Sequence, residues 1–292
     1  MKSMKQKTIS IILLILFIFA SQTITSKTGF AEMNYPAASS GVSKARQKHE
    51  TISKQASGYD TQGAINIPTG FVDVQKVAPS IMLDIRYFGP HNFVGEKIDG
   101  YNAPKCFLTK KTAAALSKIQ EELKGFSLSL KVYDCYRPQR AADHFVKWAK
   151  NIDDTKTKTE FYPTVDKKNL FKDGYIASKS SHSRGSTVDL TIVPVPVPEQ
   201  EDYVRGQALY ACFFPFDKRF KDNSIDMGTG FDCFHELSHP GNRQIGLQQR
   251  INRMLLKTLM EKHGFKNYDQ EWWHFTLKGE PFPDTYFDFT ID

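Results

Sequence analysis

No two cysteines stand at C-x-x-C spacing in this chain. Cys106, Cys135, Cys212 and Cys233 are far apart, which argues against a cysteine-held zinc site. No apolar run is comfortably long enough for a membrane span either: the best candidate, Ile9 to Ala20, falls short of the about 20 residues that a spanning helix needs. Net charge is small. The formal +7 drops to about +4 if Lys2, Lys5 and Lys7 leave with a leader, too modest an excess to support nucleic-acid binding. No internal repeat recurs, which excludes repeat architectures. Apolar side chains are scarce from Ser26 to about Asn66. That segment cannot bury a core and reads as a linker or disordered arm over residues 32–66.

Before the arm, three lysines precede an apolar run and then a small, polar stretch, the order of a secretory signal peptide. The expected leader is 1–31, cut between Ala20 and Ala31, with an uncleaved anchor as the alternative. No cysteine lies there, so a lipid anchor is not suggested, and the mature chain is expected to be periplasmic or secreted without stable membrane insertion. An oxidising compartment lets the four cysteines pair in any of three ways. Cys106 with Cys135 and Cys212 with Cys233 is favoured because each pair flanks one structural unit; two free buried thiols are the alternative. Neither Cys135 nor Cys233 has a nucleophile's surroundings, so a cysteine protease is set aside.

With 40% hydrophobic and 13% aromatic residues the rest can pack a core, and a folded domain is expected over 67–292. FVDVQKVAPSIMLDIRYF reads as early strands. A helix is expected from Thr109 to Lys124, with Leu116, Ile119 and Leu123 inward and Gly125 as its stop. LSLKVYDCY reads as a strand, and Arg137-Pro138 opens a helix using Ala141, Phe145 and Trp148. The strand ending at Val193 must stop before VPVPVP, and an insertion follows at about 195–225. A helix from Gln244 to His263 uses Leu247, Ile251, Met254, Leu255 and Leu259, closed by Gly264. EWWHFTL returns as a strand. Helices interleaved with short strands make the class α+β.

Chemistry concentrates in two stretches. In SSHSRGSTVD, Ser183-Arg184-Gly185-Ser186 can turn sharply and bring His182 and Asp189 to one point, two of the ligand types that catalytic zinc accepts. EWWH supplies His274 as third ligand and Glu271 as base. A regular strand would put residues three apart on opposite faces, so a bulge or turn is required there. One tryptophan is expected in the core, the other as a wall of the site. Arg137, between a strand and a helix start where a cation is electrostatically disfavoured, suits an oxyanion. Asp232, ending GTGFD, suits a substrate ammonium that a closed pocket must pair.

These stretches resemble the D-alanyl-D-alanine dipeptidase family of zinc DD-peptidases, whose motifs run S-x-H-x-x-G-x-x-x-D and E-x-x-W-H or E-x-x-H. DIRY at Asp84, NFVGEKIDGY at Asn92, DCYRPQRA at Asp134 and MGTGFDCFHELSH at Met227 also match, from about Gly70 to the end. The resemblance implies a single compact domain whose central, mainly antiparallel sheet is flanked by helices. It implies that His182, Asp189 and His274 bind one Zn2+ per chain, that Glu271 is general base and acid, and that Arg137 stabilises the transition state. It further implies that Ser180 holds the substrate carboxylate and Asp232 its amino terminus. D-Ala-D-Ala or a related small peptide is then the expected partner, in cell-wall peptide turnover. The alternatives are an exported D,D-carboxypeptidase or endopeptidase acting on peptidoglycan stems, and a non-catalytic wall-binding protein. The leader, the arm and the insertion depart from compact members, and the insertion is placed to cover the site or alter which peptides enter. Oligomeric state is left open.

Overall fold

Short strands alternate with helices from Ile67 onward, and a computed structural model describes residues 67–292. The expected leader and polar arm lie outside the described residues. Strand β1 (Phe71–Asp73) runs into a one-turn helix, α1 (Val74–Val77), started by the Asp73 carboxylate, which accepts from the Gln75 amide. Strand β2 is Met82–Leu83 and β3 is Phe107–Thr109. The Thr109 hydroxyl then caps α2 (Lys110–Lys124), which buries Leu116, Ile119 and Leu123 and ends at Gly125. Strand β4 (Leu128–Asp134) precedes α3 (Gln139–Lys150), which buries Ala141, Phe145 and Trp148. After α4 (Lys158–Phe161) come β5 (Thr187–Pro194), α5 (Leu247–Lys262), β6 (Phe265–Asn267) and β7 (His274–Leu277).

The main sheet has the order β2-β4-β5-β7-β6. Only β2 and β4 are parallel; the other neighbours are antiparallel. A small antiparallel pair, β1 with β3, completes an α+β domain. Strands β4 and β5 are buried almost throughout, so the sheet's centre is the core's centre and side chains there are held rigidly. Cys106 is bonded to Cys135 and Cys212 to Cys233. No helix among the described residues is long and apolar enough to cross a membrane.

Three expectations are corrected. The first apolar stretch is not purely strand, because α1 and a 3-10 turn at Arg86–Phe88 interrupt it. Ala78, which precedes Pro79, leaves the helical region (φ −139°, ψ 73°), as a residue before proline tends to do, and this stops α1. The last helix begins at Leu247, and its buried face is rotated: Leu247 and Met254 are 66% and 47% exposed, while Leu256, Leu259 and Met260 are buried beside Asn252 and Arg253. Polar anchoring chooses that face. Arg253 donates to the carbonyls of Met227, Leu237 and His239, and Asn252 to that of Asp226. Finally, both Trp272 and Trp273 are buried, and neither lines the site.

Candidate active site

The central sheet sets three acidic or basic side chains in one row. Asp134 on β4 stands opposite Asp189 on β5, and Asp189 opposite His274 on β7. Beside the row, Ser181–Arg184 forms a 3-10 turn capped by the Ser180 hydroxyl, which accepts from the His182 amide at 3.2 Å. Gly185 lets this turn pass into β5. Its φ is +77°, and a Cβ there would lie 2.2 Å from the Phe71 ring, so only glycine fits.

The result is the convergence expected from the sequence. Donor atoms of His182, Asp189 and His274 lie within 4.8 Å of one another: His182 Nε2 is 3.3 Å from Asp189 Oδ2, and His274 Nδ1 is 3.2 Å from Asp189 Oδ1. Each imidazole has its other nitrogen occupied. His182 Nδ1 lies 2.7 Å from the Cys135 carbonyl, which can only accept, so the proton sits on Nδ1 and Nε2 keeps a free lone pair. His274 Nε2 meets Ser181 Oγ at 3.3 Å. The set fits a cation by its chemistry: two nitrogens and a carboxylate are zinc ligands, and Asp189 Oδ1 is buried without a hydrogen-bond partner.

Glu271 reaches this triangle because it precedes β7 in a turn rather than lying on the strand, which removes the spacing difficulty; its Oε2 is 3.4 Å from His274 Nδ1. Burial pushes its carboxyl up to about 7, with His274 opposing. For Asp189, burial acts upward, but His182 and His274 outweigh it and hold the carboxyl far below the usual range. Burial also drives His182 down and Asp232 well up, the latter helped by the Asp189 charge.

Arg137 donates through Nε to Asp134 Oδ2 at 2.9 Å, and its Nη2 is 2.8 Å from the same oxygen and 3.6 Å from Asp189 Oδ2. The guanidinium lies over the rings of Tyr87 and Phe145 at 4.9 and 5.1 Å. Asp232 accepts from the Tyr87 hydroxyl at 2.8 Å. Ser180, Asp232, Arg137, Glu271 and the three donors all line one cavity of about 230 Å3. That is smaller than the roughly 300–1,000 Å3 of pockets for drug-sized ligands, so it suits something of dipeptide size. A larger cavity, about 350 Å3, lies between Lys156–Glu160 and Tyr203–Leu209, but no such donor set converges there.

Four contributors escaped the sequence reading. Asp134 and Tyr87 sat in matched motifs without a role; Ser181 and the Cys135 carbonyl gave no sequence signal. The segment expected as an insertion does not cover the site: no residue from 195 to 225 lines the cavity. HELSH, at His235 to His239, has the spacing of a helical two-histidine zinc motif, but it folds as a 3-10 turn whose His235 Nδ1 accepts from the Leu237 amide. Among the described residues, its histidines belong to no cluster of metal-ligand type.

A donor triangle beside an elevated carboxyl, in a cavity of this size, is metallopeptidase chemistry. The family model for the peptidase M15 D-ala-D-ala dipeptidases matches residues 68–195 and 197–292, and the chain belongs to that family. It is 38% identical over 221 residues to a D-alanyl-D-alanine dipeptidase of Streptomyces coelicolor, covering 76% of this chain and 98% of that one. It is 35% identical over 222 residues to that of Enterococcus faecalis, with the same two coverages. A crystal structure of a vancomycin resistance D,D-dipeptidase in complex with a D-Ala-D-Ala phosphinate analogue overlaps with a TM-score of 0.30 at 14% identity, covering 72% of this chain and 67% of that one. Family membership rests on the sequence matches.

Proposed function

We propose that this protein hydrolyses the free dipeptide D-Ala-D-Ala at one zinc ion held by His182, Asp189 and His274. The observation that carries the reading is a three-donor triangle with the Glu271 carboxyl 3.4 Å from it, in one dipeptide-sized cavity. When bound, the ion supplies Lewis acidity, polarising the scissile carbonyl and lowering the pKa of water toward about 7.

The chain's own groups do the rest. Glu271 takes a proton from the attacking water as its oxygen bonds to the carbonyl carbon, and returns it to the nitrogen as the C–N bond breaks. Arg137, held by Asp134, offers its charge to the oxyanion. Asp232 pairs with the substrate ammonium, and Ser180, at the start of the ligand turn, holds the substrate carboxylate. A purely structural metal site has no use for Glu271, which disfavours a non-catalytic wall-binding protein.

The place of action is also a proposal: the basic, apolar and polar order of residues 1–31 favours export and work on peptides released from the wall. Active, unprocessed protein confined to the cytosol would defeat it. The substrate reading is tested by kcat/KM on free against N-acetylated D-Ala-D-Ala. Asp232 is only 5% exposed and burial pushes its carboxyl well up, so the carboxylate forms with the substrate ammonium beside it, and an acyl group on that nitrogen removes the charge pair. Strong preference for the free dipeptide supports the proposal; equal rates or preference for the blocked peptide favour a stem-peptide carboxypeptidase.

A further inference from the structure

The insertion lines no part of the cavity, yet it reaches the Asp232 loop by two routes. Cys212 is bonded to Cys233, the residue after Asp232, with Cα atoms 5.5 Å apart. The Cys212 carbonyl also accepts from the Gly230 amide at 2.8 Å, so the loop is pinned on both sides of Asp232. On the second route, Asp222 accepts from the Tyr133 hydroxyl and lies 3.7 Å from Arg86 Nη2. Tyr133 stacks on Phe231 at 4.5 Å, and Tyr87, next to Arg86, holds the Asp232 carboxyl. Asp232 itself has φ +54°, a left-handed backbone that persists only where its surroundings impose it.

We infer that the Cys212–Cys233 disulfide is a positioning element for the substrate ammonium, through which the insertion sets dipeptide affinity without touching the substrate. The inference rests on Asp232 being the ammonium partner. Without the crosslink, Asp232 relaxes toward ordinary backbone angles and its carboxylate leaves the position that the ammonium needs. The donor triangle, Glu271 and Arg137 stay, because they belong to β5, β7, the ligand turn, the turn before β7 and the junction between β4 and α3. The expected signature is a raised KM with kcat preserved. In a reducing compartment the same chain binds free dipeptide weakly, so full affinity follows disulfide formation.

The test is a mutant cycle on the zinc-loaded full chain: wild type, Cys212→Val with Cys233→Ala, Asp232→Asn, and the combination, all assayed on D-Ala-D-Ala. Breaking the bond should raise KM about tenfold, as partial loss of a charged hydrogen bond does, with kcat within about twofold. It should add nothing further in the Asp232→Asn background. Additive KM effects, or a lower kcat at unchanged KM, overturn the inference. Amide exchange gives a reading independent of turnover: faster exchange confined to residues 228–234 supports the brace, and unchanged exchange overturns it. A wild-type chain inactive on the dipeptide contradicts the proposed function, while exchange still decides the brace. Cys212→Ser with Cys233→Ser is the second variant. If both pairs fail to fold while Asp232→Asn folds, the bond serves stability alone and the inference falls.

Discussion

His182 Nδ1 donates to the carbonyl of Cys135 at 2.7 Å, and that one bond settles which imidazole nitrogen faces Asp189 and His274. The carbonyl belongs to the residue between Asp134 and Tyr136, so the segment that orients a candidate metal ligand also carries Arg137. Asp134 ties the two together: its Oδ2 is 3.4 Å from His182 Nδ1 and 2.8 Å from Arg137 Nη2, while Oδ1 accepts from the Tyr101 hydroxyl at 2.6 Å.

Asp134→Asn should therefore weaken two functions at once. Outer partners of metal ligands are worth about 10–100-fold in metal affinity or activity. Zinc competition with a chelator and kcat on the dipeptide should both fall within that range; a change in neither would show that the carboxylate is only a core group.

Glu271→Gln should leave zinc content unchanged and lower kcat about 100- to 10,000-fold, the usual worth of a positioned acid–base group. Metal analysis beside steady-state kinetics checks this. Parallel loss of metal and activity would recast Glu271 as a ligand.

The acid limb of kcat/KM follows from the same carboxyl. Burial raises it to about 7, and a bound cation pulls it lower, so activity should fall as pH drops through a midpoint at or below about 7. The base works only when ionised, which fixes the sign. The residual rate of Glu271→Gln should lack that limb.

Gly185→Ala forces a Cβ against Phe71 at positive φ and should cost about 2 kcal/mol or more in stability, read as a lowered midpoint in urea.

Asp222→Asn removes one partner of a buried cluster with Arg86 and Lys131 and should cost about 3–5 kcal/mol. Burial acts upward on the Asp222 carboxyl, but Lys131 and Arg86 outweigh it and hold the carboxyl far below the usual range. Its stabilisation is thus present above the unfolded value of about 3.9 and is lost as pH falls toward the depressed folded value. The gap between wild type and variant should narrow only below about pH 4.

The parts of the fold that were legible in the sequence are those where local signals agree. Thr109 and Gly125 bound α2, Pro138 opens α3, and proline ends β5. The convergence of His182, Asp189 and His274 was legible because a glycine turn and a strand register bring them together. Long-range polar anchoring was not. The face of α5 is chosen by three carbonyls that Arg253 reaches in a loop outside its own helix. The tryptophans look like candidates for a site wall, but Trp272 donates its indole N–H to Thr229 in the interior, and no spacing rule encodes that. Tyr87 and Asp134 act on other side chains, and a backbone carbonyl such as that of Cys135 has no letter of its own.

The most direct measurement is release of D-alanine from D-Ala-D-Ala by the zinc-loaded chain, with the chelated chain and Glu271→Ala as controls. Release that needs zinc and collapses in the variant is the predicted result. No release, or release unaffected by Glu271→Ala, would contradict a metal-dependent dipeptidase with Glu271 as its base.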